Sequence, residues 1–271
     1  MTLLVIVLGT LLAGIGSVWL AAWLSFGVIS RYTQHMLSLA AGALLATAFL
    51  HLLPEAFESG IPAHLLFAVL LVGLVFFFLL DKAELWHHGH EHHHAQSHDH
   101  GHDHKHDHGH GHAHDPAAGG WAVLAGDSVH CFGDGILIAS AFVADLQLGV
   151  LAALAVLAHE VPHHMGDLVV LRRSAGTRQA AILKVSMAGA VTALGGAVGY
   201  VLVDALHDLL PYFLVVASSS FVYVALADLI PQLQRQLSAR ETAAQVFWLG
   251  VGMTLVMLVS LLTHSGHSHG V

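Results

Sequence analysis

Long apolar blocks alternate with short polar connections along the 271 residues of this chain. A helix needs about 20 mainly apolar residues to cross the hydrocarbon core of a bilayer. Blocks of that length fall near residues 2–28, 36–57, 63–82, 121–144, 147–171, 181–203, 211–231 and 243–263. The pattern predicts an all-α, polytopic membrane protein with eight transmembrane helices.

The composition fits this class of protein. Apolar residues make up 56% of the chain and charged residues only 10%, whereas a soluble domain carries about 25% charged residues. Because no basic segment precedes the first block, we interpret that block as a retained helix rather than a cleaved signal peptide. We therefore predict the lipid bilayer as a partner, and no nucleic acid.

The basic residues predict the orientation of the chain. All nine lysines and arginines lie in or beside alternate connections: Arg31, Lys82, Lys105, Arg172, Arg173, Arg178, Lys184, Arg235 and Arg240. Loops rich in Lys and Arg stay in the cytoplasm, so both termini are predicted to be extracytoplasmic. We expect a multi-pass protein of the cell (inner) membrane.

Two polar motifs interrupt the fourth and fifth apolar blocks. They read His-Cys-Phe-Gly-Asp-Gly at 130–135 and His-Glu-Val-Pro-His-His-Met-Gly-Asp at 159–167. A charged side chain at the centre of a bilayer costs roughly 2.5–3.5 kcal/mol on insertion scales, so it usually faces a partner, an ion or water. Because His, Cys, Asp and Glu are ligands of zinc and related metals, the motifs predict a metal site within the membrane.

Helical spacing gathers these residues on two faces. The fourth helix should present Asp127, His130, Cys131 and Asp134, and the fifth His159, Glu160, His163, His164 and Asp167. Two such faces packed together supply ligands from opposite sides, as metal sites in helix bundles do. The alternative is a structural hydrogen-bond network that links the two helices.

Two backbone features accompany the polar faces. Gly133 and Gly135 should let neighbouring helices approach closely, as small residues do in membranes. Pro162 should interrupt the fifth helix and free a carbonyl group beside the ligands. We expect such a break to line a passage for an ion.

The two motifs resemble the signatures of the ZIP family of divalent-metal transporters, especially its histidine-rich-loop branch. That branch carries His-Asn-Phe-x-Asp-Gly in the fourth span and His-Glu-x-Pro-His-Glu-x-Gly-Asp in the fifth, and the likeness covers nearly the whole chain. The resemblance implies a carrier rather than an enzyme. It would move Zn²⁺, or else Cd²⁺, Fe²⁺ or Mn²⁺, into the cytosol while one group of helices slides against another.

The resemblance also implies a binuclear metal site at mid-membrane. His130, Asp134 and His163 match ligands of the first metal position. Cys131 and Glu160 match the second position, which shares Asp134 and His163. Because Cys131 stands where Asn is usual, the second position is expected to be softer.

Further candidates come from the same likeness. His159 matches a position beside the ligands, and His164 replaces the usual Glu. His51 matches the branch's His-Leu-Leu-Pro motif in the second span, and Asp228 in the seventh lies near the predicted cytoplasmic exit; a capping or helix-contact role is the alternative for both. The full set of predicted metal-binding residues is His130, Cys131, Asp134, His159, Glu160, His163, His164, Asp167, His51 and Asp228.

A histidine-rich stretch follows the third span. Fifteen histidines lie between His87 and His114, interleaved with Asp, Gly and Glu. So little apolar surface predicts a disordered cytoplasmic loop that collects or senses metal, with an inert spacer as the alternative. The chain then divides into helices 1–3 (1–86), the loop (87–120), helices 4–5 with the metal site (121–171), and helices 6–8 with a short histidine-containing tail (172–271).

Two other functions compete with metal uptake. A cation-diffusion-type exporter also uses intramembrane His and Asp pairs, but it usually has six spans. An intramembrane zinc protease would use His159, Glu160 and His163 as a His-Glu-x-x-His motif, although Pro162 is expected to break that helix. A homodimer is left open by the sequence.

Overall fold

The computed structural model describes residues 2–25, 33–88, 116–175, 177–230 and 238–267. Within these ranges the chain forms eight helices that are each long and apolar enough to cross a membrane. The prediction of an all-α protein with eight spans is thereby confirmed. Most of the histidine-rich loop, from 89 to 115, lies outside the described residues.

The eight helices are numbered in chain order. Five are α-helical throughout: α3 (Ala63–His88), α4 (Pro116–Ala144), α5 (Leu146–Ala175), α6 (Arg178–Ala205) and α8 (Ala239–His267). Three contain a π-helical segment: α1 (Thr2–Leu11, π over Leu12–Gly16, then Ser17–Ser25), α2 (Thr33–Thr47, π over Ala48–Leu52, then Leu53–Glu58) and α7 (Leu210–Tyr223, then π over Val224–Leu229). Such segments often mark functional positions.

The helices pack as two groups. In one group α4 lies along α6 and against α5, while α1 packs on both α5 and α6. In the other, α2 packs on α8, and α3 packs on α7. The groups meet where α2 contacts α5 and where α7 contacts α4. The two helices that carry the polar motifs are therefore enclosed by α1, α2, α6 and α7.

A one-residue turn sets the motifs at the same height. The carboxylate of Asp145 accepts hydrogen bonds from the backbone N–H groups of Gln147 (2.7 Å) and Leu148 (3.3 Å), which caps the start of α5. His130 lies fourteen residues before the end of α4, and Glu160 lies fourteen residues after the start of α5. At 1.5 Å per residue both are about 21 Å from the turn. The antiparallel pair therefore brings the motifs face to face.

Glycine contacts hold α4 directly against α6. A Cβ atom on Gly135 would collide with the backbone carbonyl of Thr192, and one on Gly195 would collide with the carbonyl of Phe132. The predicted close approach is therefore confirmed at Gly135. It is wrong at Gly133, where a Cβ atom would have no neighbour among the described residues within 4 Å.

The expected break at Pro162 is also wrong. α5 continues as an α-helix through Pro162, from Leu146 to Ala175. Proline removes one backbone donor, but Val161 and Met165 on either side belong to an apolar cluster shared with α1 and α6, and this packing supports the helix. The ligand candidates of α5 therefore lie on one uninterrupted helix. The helix that carries His159 and His163 is therefore intact, as a zinc protease would also require.

Candidate metal centre

α4 carries two pairs of polar side chains, each pair spaced by one helical turn. Asp127 and Cys131 form one pair, and His130 and Asp134 form the other. Residues four apart lie on the same face of a helix, so each pair projects in one direction. α5 presents its own polar residues opposite them, and two groups of potential ligands result.

The first group, called here the His130 cluster, contains His130, Asp134, His159 and Glu160, whose ligand atoms all lie within 4.8 Å of one another. His130 Nε2 and His159 Nε2 each lie 3.3 Å from Glu160 Oε1. His159 Nε2 is also 3.3 Å from Asp134 Oδ2. Two imidazoles and two carboxylates thus converge on one point between α4 and α5.

The second group, called here the Cys131 cluster, contains Asp127, Cys131, Glu160 and His164, and it is equally compact. His164 Nε2 lies 3.1 Å from Glu160 Oε2 and 3.6 Å from Asp127 Oδ1. The thiol of Cys131 is 3.7 Å from Asp127 Oδ1 and 4.0 Å from Glu160 Oε2. This group adds sulfur to the nitrogen and oxygen ligands.

Glu160 joins the two clusters. Its Oε1 atom faces His130 and His159, and its Oε2 atom faces His164 and Cys131. A carboxylate can bind one cation through each oxygen, so this arrangement suits two ions that share a ligand. The side chain of Glu160 is only 1% exposed, which means that water contributes little to its solvation.

Four buried atoms in the clusters make no well-aligned hydrogen bond within the described part of the chain, although three of them lie close to an opposite group: Asp127 Oδ2, Asp134 Oδ2, Glu160 Oε1 and His164 Nε2. A structural network would pair donors with acceptors, because an unsatisfied buried polar group costs about 1–3 kcal/mol. The three carboxylates and three imidazoles of the clusters converge while part of their hydrogen-bonding capacity stays unused, an arrangement that is suited to a cation. These unused lone pairs favour a cation site over a purely structural network.

Six of the ten predicted metal-binding residues lie in the clusters: His130, Cys131, Asp134, His159, Glu160 and His164. His163 belongs to neither; its ring stacks on that of His130, with centroids 5.5 Å apart. Asp167 lies one turn beyond His164 and is likewise outside both clusters. The residue that the two clusters share is thus Glu160, whereas the family resemblance implied Asp134 and His163 as shared ligands.

The two remaining predicted residues lie in π-helical segments and belong to neither cluster. His51 is in the π segment of α2, where its Nδ1 atom is 3.5 Å from the carbonyl oxygen of Ala46. Asp228 is in the π segment of α7, and its side chain lies outside the described part of the structure. The metal-binding roles of His51 and Asp228 stay predictions.

Two residues of the centre were absent from the predicted set. Asp127 was visible on the polar face of the fourth helix, and its spacing of four residues from Cys131 was the available signal. Ser17 on α1 lies with its Oγ atom 3.0 Å from His164 Nδ1. A lone serine in an apolar span gives no sequence signal for such a contact.

Comparison with known proteins identifies the family of the chain. The family model for the ZIP Zinc transporter matches residues 1–260. Zinc transporter ZIP6 of Homo sapiens is 29% identical over 151 residues, which are 53% of this chain and 20% of that protein. Zinc transporter ZIP4 of Homo sapiens is 33% identical over 148 residues, which are 52% of this chain and 22% of that protein.

A nematode relative gives the same result. Zinc transporter zipt-7.2 of Caenorhabditis elegans is 33% identical over 150 residues, which are 51% of this chain and 31% of that protein. The chain thus spans between a fifth and a third of the length of these three relatives. All three are named as transporters and not as enzymes, which argues against an intramembrane protease. Because the family model covers nearly all of the sequence, the chain belongs to the ZIP zinc transporter family.

Proposed function

We propose that this protein moves Zn²⁺ or a related divalent ion across the membrane into the cytosol, and that the His130 and Cys131 clusters form a binuclear site on its path. The observation that carries the proposal is the buried Glu160 carboxylate, which presents one oxygen to each cluster. Family membership and eight apolar helices support the same conclusion.

The ligand chemistry suits a transported ion. Imidazole nitrogens and carboxylate oxygens replace the water shell of a divalent ion, and several ligands of moderate strength can be exchanged one at a time. Because the oxygens of Glu160 face different clusters, an ion can change position without leaving this carboxylate. Alternating access would follow if the group α1, α4, α5 and α6 moved against the group α2, α3, α7 and α8.

The clusters also suggest which metals are carried. Thiolate and imidazole ligands favour Zn²⁺ and softer ions, whereas Mn²⁺ and Mg²⁺ prefer sites made of oxygen. The Cys131 cluster combines a sulfur, a nitrogen and two carboxylates, so we expect Zn²⁺ and Cd²⁺ to be carried better than Mn²⁺. Fe²⁺ should fall between them.

The charge pattern predicts the orientation of the chain. Because Lys and Arg lie in alternate connections, we expect the histidine-rich loop on the cytoplasmic side and both termini on the other side of the cell (inner) membrane. His264, His267 and His269 would then lie near the entrance. The loop would receive ions after their passage, since alternating His and Asp residues bind divalent ions weakly and reversibly.

Uptake into proteoliposomes tests the proposal. Purified protein should carry Zn²⁺, and replacement of His130, Asp134 or His159 by Ala should abolish this while the protein still inserts. Ser218→Ala is a matched control, because Ser218 is fully buried but donates only to its own helix at the Leu214 carbonyl (2.9 Å). Normal transport by all three site variants would refute the site assignment.

Whole cells test the direction. Expression of the protein should raise the zinc content of the cell, and a fall would favour the cation-diffusion-type exporter. Proteolysis of a membrane substrate that is lost in Glu160→Gln, while metal uptake persists, would favour the protease.

A further inference from the structure

We propose that Ser17 on α1 is a positioning residue for the Cys131 cluster. It holds His164 in the form that carries its proton on Nδ1, so that Nε2 is the nitrogen available to a metal. The inference rests on the proposed function, because it assigns a role to a residue that supports one of the two proposed metal positions. It adds a third helix to a centre whose ligands all come from α4 and α5.

The hydrogen bonds of Ser17 fix the direction of the contact. Its Oγ atom lies 2.6 Å from the carbonyl oxygen of Gly14 and 3.0 Å from His164 Nδ1. A hydroxyl group has one proton, and a carbonyl oxygen can only accept. Ser17 therefore donates to Gly14 and must accept from His164, which requires a proton on Nδ1.

When the ring of His164 is neutral and Nδ1 carries its proton, Nε2 carries none. Nε2 is the nitrogen that faces the cluster. His164 Nε2 lies 3.1 Å from Glu160 Oε2 and 3.6 Å from Asp127 Oδ1. Metal-binding histidines commonly donate their second ring N–H to a neighbouring acceptor, which fixes both the tautomer and the ring orientation. Ser17 is such an acceptor.

Ser17 is itself held in place by close backbone packing. It follows the π-helical segment of α1, in which a Cβ atom on Gly14 would collide with the carbonyl of Gly189 on α6. The two backbones are thus in direct contact. Ser17 and His164 are both 0% exposed, so water is not at hand to replace the hydroxyl group.

His159 provides an internal comparison. Its Nδ1 atom lies 3.3 Å from the carbonyl oxygen of Ala155, one turn earlier on α5. The tautomer of His159 is therefore supported by its own helix and does not depend on α1. Loss of the Ser17 hydroxyl should weaken the Cys131 cluster and leave the His130 cluster unchanged.

Cobalt binding to the full-length protein tests this selectivity. The chain has a single cysteine, so a thiolate-to-Co²⁺ charge-transfer band reports the Cys131 cluster even in the presence of 26 histidines. In Ser17→Ala the Co²⁺ concentration that half-saturates this band should rise about 10–100-fold, the usual effect of losing an outer ligand partner. Ser17→Thr, which keeps a hydroxyl group, should restore most of the affinity.

Two controls separate positioning from general damage. Ser218→Ala removes an equally buried hydroxyl group from α7 and should leave the band unchanged. His164→Ala should weaken the band at least as much as Ser17→Ala. Two outcomes overturn the role of Ser17 and leave the proposed function standing. In the first, Ser17→Ala and Ser218→Ala weaken the band equally. In the second, Ser17→Ala leaves the band unaltered although His164→Ala weakens it. Absence of the band from the unmodified protein overturns the Cys131 cluster as a metal position, and the role of Ser17 with it.

Discussion

The His130 cluster and the Cys131 cluster each take one oxygen from Glu160, yet they differ in chemistry and in access. The His130 cluster has two imidazoles, and the side chain of His130 is 22% exposed. In the Cys131 cluster every residue is buried, Asp127 being the most exposed at 6%. If both clusters bind ions as proposed, ions should enter and leave more readily at His130, and the enclosed thiol at Cys131 should contribute to the choice of metal.

The same helix geometry produces both clusters. The α4 pairs Asp127–Cys131 and His130–Asp134 have the same spacing and are offset by three residues, so they lie on neighbouring faces of the helix. The difference between the clusters therefore depends on which side chains occupy those positions and on what covers them. Substitutions can separate the two contributions.

The largest effect is expected from the shared ligand. Glu160→Gln keeps the size of the side chain but removes the charge from both clusters. Loss of an outer partner alone costs about 10–100-fold in metal affinity, so loss of this shared ligand should lower Zn²⁺ uptake more than about 100-fold. Zn²⁺ uptake measures the loss of transport, and Co²⁺ spectra measure the loss of metal binding. Glu58→Gln serves as a control, because Glu58 is exposed. A loss confined to one cluster would show that Glu160 does not bridge them.

The next effect distinguishes two histidines of α5. His159 points its Nε2 atom at Asp134 and Glu160 within 3.3 Å, whereas His163 stacks on His130. If ions bind in the arrangement seen here, His159→Ala should lower Zn²⁺ affinity about tenfold more than His163→Ala does. Isothermal titration with Zn²⁺ measures both. The reverse order would show that α5 rotates on metal binding and that His163 becomes a ligand.

A smaller and more selective effect is expected at the thiol. Cys131→Ser replaces sulfur with oxygen in the Cys131 cluster only. Soft ions should lose more binding affinity than hard ions do. Cd²⁺ affinity should fall about tenfold relative to Mn²⁺, which corresponds to ~1.4 kcal/mol. Competition between the two ions in proteoliposomes measures the ratio. An unchanged ratio would mean that the thiol does not bind the transported ion.

The sequence predicted the architecture well because membranes impose a simple rule. Each span must be long, apolar and internally hydrogen-bonded, and the eight blocks therefore correspond to the eight helices. The polar motifs also had to face each other, since unpaired polar groups are costly at that depth. These inferences need only local pattern and spacing.

The details of the centre depended on packing that the sequence does not encode locally. Whether Pro162 breaks α5 is decided by the apolar contacts of α5 with α1 and α6. The choice between His159 and His163 depends on the rotation of α5 about its axis, which a shared helical face leaves undetermined. Ser17 joins the centre through a contact 147 residues away along the chain, for which a single sequence offers no signal.

The smallest effect on the two clusters is expected from the histidine-rich loop. All residues of both clusters lie on α4 or α5, so deletion of residues 89–114 removes none of their ligands. The thiolate–cobalt band should keep its midpoint within about twofold, which is less than 0.5 kcal/mol. The total metal bound at saturation should fall, because 13 of the 26 histidines in the chain are removed. Equilibrium dialysis beside the spectral titration separates the two quantities. A large shift of the cobalt midpoint would mean that the loop contributes to the centre directly. The loop would then have to be counted as a source of ligands beside α4 and α5.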